Sequence, residues 1–70
     1  MSILDMLSYL KKRLEDIESM MRVYEKIIDE RMLSPEELSA YRGYIGAYWE
    51  IVKAMDYIDE ALNREIEERR

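Results

Sequence analysis

Seventy residues with a net charge of −5, no cysteine and no histidine define one small domain without either of the usual staples of such domains, a disulfide or a structural zinc. The same two absences remove the common nucleophile–base pairs and most transition-metal sites. The acidic balance, with an isoelectric point near 4.7, argues against nucleic acid and anionic lipid as principal partners.

Only two glycines and one proline interrupt a chain that is 39% charged, a composition that points to long helices. No stretch approaches about 18 uninterrupted apolar residues, so no membrane span is expected, and no basic segment leads into an apolar run as in a signal peptide. The expected location is cytoplasmic.

Ser2 followed by Asp5 reads as a helix start with an acidic first turn. From there Ile3, Leu7, Leu10, Leu14, Ile17, Met21, Tyr24 and Ile28 follow at alternating spacings of four and three, the a/d seam of a left-handed coiled coil. Met6, Met20 and Ile27 stand at g and widen the apolar face. The pairs Lys11–Glu15, Lys12–Asp16, Glu18–Arg22 and Lys26–Glu30 have i,i+4 spacing and belong to a solvated outer face. The predicted helix covers residues 3–31.

Leu33-Ser34-Pro35-Glu36-Glu37-Leu38 is the sharpest local signal. Ser34 is the N-cap, Pro35 takes the first helical position, Glu37 completes a capping box, and Leu33 and Leu38 hold the two places of a hydrophobic staple. Proline disfavours helical geometry at the residue before it, so the turn is confined to residues 32–34. A connection that short makes the two helices antiparallel neighbours.

The second helix is predicted over residues 35–67, with the charged tail after Asn63 expected to fray. Leu38, Tyr41, Ile45, Tyr48, Val52, Met55, Leu62 and Ile66 continue an a/d pattern, interrupted at Asp59, which is expected at an edge open to water, reaching toward Lys11. This row is predicted to pack on the first helix, with Ile28 near Leu38, Met21 near Ile45, Leu14 near Val52 and Ile3 near Leu62. A second row, Ala40, Tyr44, Ala47, Ile51, Ala54, Ile58 and Ala61, runs beside it, and Trp49 extends the face. The two rows together span about 160° of arc at 100° per residue, more than one facing helix covers. The expectation is an all-α antiparallel hairpin whose second row, with Tyr48 and Trp49, is an interface for other chains, most simply in a dimeric four-helix bundle. The stretch from Tyr41 to Val52 carries four of the seven aromatic residues and both glycines. Gly43 and Gly46 there suggest a close backbone approach or a slight bend.

No catalytic, cofactor-binding or metal-binding residues are assigned. Glu15 with Glu18 and Asp56 with Asp59 resemble the acidic helices of MazG-like nucleotide pyrophosphohydrolases, but the further helices that complete such a site are missing. Tyr41, Tyr44, Tyr48 and Trp49 read as interface aromatics rather than base-stacking platforms, because few basic residues accompany them. As architecture the chain resembles the Rop-like hairpins that dimerise into four-helix bundles, without a basic face for RNA. Tyr41-Arg42-Gly43-Tyr44-Ile45-Gly46-Ala47, running into an apolar and charged helix, resembles small hairpin proteins encoded by bacteriophages. That resemblance implies a virion component or an accessory factor, located in the host cytoplasm or the virion. The resulting expectation is a non-enzymatic structural or assembly protein that forms a homo-oligomer, with no nucleic-acid or membrane partner. The alternative is a binding module (inhibitor, adaptor or chaperone) that docks a partner helix on the same stripe.

Overall fold

The computed structural model describes residues 2–69 and consists of two helices, α1 (Ile3–Glu30) and α2 (Pro35–Glu68), packed as an antiparallel hairpin. The hairpin is a rod 55 Å long and about 17 Å across. The all-α hairpin expected from the sequence is what the chain forms, with boundaries within a residue of those predicted. The tail after Asn63, expected to fray, is helical to Glu68, and Arg69 reaches back to Glu65 at 3.0 Å.

Both helices start in the same way. The Ser2 hydroxyl accepts the Asp5 amide at 3.1 Å while the Asp5 carboxylate accepts the Ser2 amide at 3.4 Å. At α2 the Ser34 hydroxyl accepts the Glu37 amide at 3.2 Å, and the Glu37 carboxylate accepts the Ser34 amide at 2.9 Å. Each box satisfies two backbone donors, one of them an amide of the first turn that has no partner within the helix.

The turn adds a contact that joins the two helices. The chain leaves α1 at Arg31 in an extended conformation, and the Arg31 guanidinium donates to both Glu37 oxygens at 2.9 and 2.8 Å and to the Met32 carbonyl at 3.0 Å. One carboxylate thus completes the cap of α2 and holds the end of α1 in a forked ion pair. The Arg31 hydrogen bonds, followed by those from the Ser34 backbone and hydroxyl, lower the Glu37 pKa to about 2. The Arg31 pKa is raised in turn, chiefly by its hydrogen bond to Glu37.

α1 packs through the seam read from its sequence. Ile17 is buried, Leu7, Leu10, Leu14, Met21 and Tyr24 are half-buried around it, and Ile3 and Ile28 at the two ends are exposed. α2 is rotated from the predicted orientation. Its buried residue is Ile51, and the Tyr24 ring lies 6.0 Å from Tyr44 as well as 5.8 Å from Tyr41. One heptad from Tyr24 and Tyr44 in opposite chain directions leads to Ile17 and Ile51, the two buried side chains among the described residues.

The observed seam is therefore Tyr41, Tyr44, Tyr48, Ile51, Met55, Ile58 and Leu62, every member buried or half-buried. It takes Tyr44, Ile51 and Ile58 from the row expected to face other chains. It leaves Leu38 and Ile66 exposed, while Ile45 and Val52 stay half-buried beside it. The facing register stays close to the predicted one, with Tyr24 between Tyr41 and Tyr44 and Ile28 beside Leu38 at the turn end. The physical reason for the rotation is continuity: this row has spacings of three and four with no break, whereas the predicted row broke at Asp59. In the rotated helix Asp59 is solvent-exposed and, among the described residues, forms no ion pair with Lys11 or any other group. Of the predicted i,i+4 pairs, Glu18–Arg22 forms, at 3.6 Å.

Two outcomes follow. Ile51→Ala costs about 2–4 kcal/mol in urea unfolding, whereas Leu38→Ala, at an exposed position, costs less than about 1 kcal/mol. Because the folded-state pKa of Glu37 is depressed, its contribution to stability is complete above the ordinary carboxylate range and is lost as pH falls from about 4.5 to about 2. The melting temperature of Glu37→Gln thus lies below that of the wild type at pH 7, and the gap narrows steadily as pH falls toward 2.

Candidate interaction surface

The rotation of α2 gives the hairpin two unlike sides. On one side Tyr44 lines a shallow groove with Arg13, Asp16, Ile17 and Met20 of α1. Ala40 and Ala47 stand one turn before and after Tyr44 on α2, so the alanine row belongs to this side, continuing through Ala54 to Ala61. Ala40, Ala47 and Ala54 are half-buried and Ala61 is exposed. The α1 half of the same side is large and apolar: Met6, Tyr9, Met20 and Val23 are 41%, 54%, 38% and 49% exposed. They belong to one row with Arg13, Asp16 and half-buried Ile27, again at spacings of three and four.

On the other side Tyr48 lines a groove with Glu18, Met21, Arg22 and Glu25. Trp49 meets the Tyr48 ring edge-on at 5.3 Å and is otherwise 56% exposed. Ile45 and Val52, one turn from Tyr48, complete this side on α2, while α1 presents mainly charge. The turn forms a third apolar feature, where Ile28, Leu33 and Leu38 surround a cleft beside Met32, which is 91% exposed.

The residues expected to form one interface are therefore divided among three places. Tyr44, Ile51 and Ile58 join Tyr48, already expected there, in the contact between α1 and α2, so the expectation that the second row faces only other chains is corrected. One facing helix reaches further around α2 than predicted because it sits between the two rows. Ala40, Ala47, Ala54 and Ala61 lie along one side, and Trp49 lies on the other. The sequence pattern had placed Met6, Met20 and Ile27 beside the first seam. It passed over Tyr9 and Val23, although both fall at the spacing that continues that row.

The glycines are not used by the hairpin itself. Both are exposed, and a methyl group at Gly43 or Gly46 would meet no neighbouring atom within 4 Å. Gly43 belongs to the alanine side, three residues after Ala40 and four before Ala47. Among the described residues no group of three acidic side chains converges where a metal ion would sit, and no helix is long and apolar enough to cross a membrane. Compared with known proteins, the chain matches no family model, no curated protein sequence and no solved structure.

Gly46 lies away from the alanine row, so its replacement reports on helix propensity alone. Gly46→Ala raises the stability of the hairpin by about 1 kcal/mol in chemical unfolding. A neutral or destabilising result would show that this position meets something beyond the hairpin.

Proposed function

We propose that the chain is a non-enzymatic assembly protein, a helical hairpin that associates with further copies of itself through the side formed by Met6, Tyr9, Met20 and Val23 of α1 and Ala40, Ala47, Ala54 and Ala61 of α2. The observation that carries this reading is surface area. The hairpin exposes 5856 Å², whereas a compact monomer of 8.5 kDa exposes about 4,700 Å². The excess of about 1,200 Å² is substantial for a chain of this size, and much of what is exposed is apolar. Ile17 and Ile51 are its only buried side chains among the described residues. A stable interface buries about 800 Å² on each partner, so the excess suffices for one.

The choice of side follows from composition. On the alanine side the α1 row is mostly apolar, with Arg13 and Asp16 at its middle, while the Trp49 side sets apolar residues of α2 against Glu18, Arg22 and Glu25 of α1. Small residues let a neighbouring helix approach closely, and the exposed methionines and Val23 supply the apolar area it would cover. A virion component or an accessory factor of a bacteriophage is a setting in which a self-assembling hairpin of this kind serves. A binding module that takes up a helix of another protein uses the same side.

Light scattering across a concentration series tests the reading. The wild type is expected as a dimer or larger species, Met20→Glu/Ala47→Glu as a helical monomer, and Trp49→Glu, on the opposite side, as unchanged in mass. A wild type that stays monomeric and folded would overturn self-association and leave the binding-module reading.

A further inference from the structure

Resting on the self-association just proposed, we infer that the second copy docks with its turn at the same end, so that α1 of each hairpin lies on α2 of the other. The inference comes from the heights of large and small residues along the rod. The Tyr24 ring, set between Tyr41 and Tyr44, fixes which residues of the two helices share a level. Stepping outward from that register puts Met20 level with Ala47, Ile27 with Ala40, and Met6 with Ala61. Each of these levels carries one large and one small side chain on the same side of the rod, always large on α1 and small on α2.

A two-fold axis parallel to the helices exchanges left and right while preserving height. Met6, Met20 and Ile27 of one copy then meet Ala61, Ala47 and Ala40 of the other at their own levels, and the hairpins stay evenly spaced at those three levels. Gly43, open on this same side, lets the α1 helix of the second copy come close. The exposed area of the methionine row is the independent sign that this side is covered by something. Its pairing with the alanine row is what favours a second copy over another partner. A two-fold axis perpendicular to the helices puts the turns at opposite ends and sets α1 on α1 and α2 on α2. Methionine then stacks over methionine along one edge and alanine over alanine along the other, which wedges the hairpins apart.

The chain has no cysteine, so Met32→Cys, exposed at the turn, accepts a single spin label. Pulsed electron spin resonance on the labelled protein, with its helicity checked by circular dichroism and its mass by light scattering, separates the cases. The expected result is a dimer with a label separation of about 20 Å, the scale of two neighbouring hairpins plus two label arms. A dimer with labels about 50 Å apart, close to the 55 Å length of the rod, overturns the same-end arrangement and leaves self-association standing. A labelled protein that is folded but monomeric at the highest concentration overturns both. A second variant checks the large-over-small pairing: Ala47→Met weakens the dimer at least tenfold, and Met20→Ala added to it restores association. Failure of that restoration in a folded double variant counts against the pairing.

Discussion

Two helices in contact share a single line, and a side chain is fully enclosed only where it falls on that line with neighbours above, below and opposite. This constraint shapes the whole molecule. It explains why burial is confined to Ile17 and Ile51 while the other seam residues are only half-covered. It also gives the rotation of each helix about its own axis more consequence than in a larger domain, because a turn of half a residue step exchanges core positions for surface ones. Without histidine or cysteine, no metal-bound zinc finger or disulfide can substitute for packing.

The turn makes that line possible. Four residues, Arg31 to Ser34, connect the helices, and Glu37 serves both the cap of α2 and the guanidinium from the end of α1. Its negative charge also sits in the first turn of α2, beside Glu36, where the helix dipole favours it. The geometry of the hairpin is thereby set from one end by short, local interactions, and the seam extends it.

The turn and α1 were readable in the sequence because their signals are local or unique. Ser34, Pro35 and Glu37 each have one place in a helix start, and α1 offers a single unbroken seam. α2 was harder because Tyr41 to Val52 is apolar over an arc wider than one contact, and alternative rows cross there. Tyr41, Tyr48, Met55 and Leu62 belong to both the predicted row and the observed seam, and alanine reads equally as core or as small surface. The rotation also sets Tyr24 between Tyr41 and Tyr44, a contact between distant residues with no signature in local spacing. One clue was present. The row through Ile51 and Ile58 has no gap, and the interruption at Asp59 marked the other row as the one facing outward. The exposed side, in turn, was only half legible: its alanines repeat every seven residues, but Tyr9 and Val23 look like ordinary surface until α1 is seen beside α2.

The clasp at the turn has a kinetic consequence. Tyr24 and Tyr41 are half as far apart in sequence as Ile17 and Ile51, and the open end of the rod joins the most distant residues of all. Loop closure costs more entropy as the intervening chain lengthens, so contacts nearest the turn form at least cost and shorten the loop for those that follow. A chain built this way closes from its turn like a zipper, and its predominantly local contacts place it among the fast-folding topologies. The caps and ion pair around Glu37 thus act twice, holding the finished hairpin and choosing the end from which it is made.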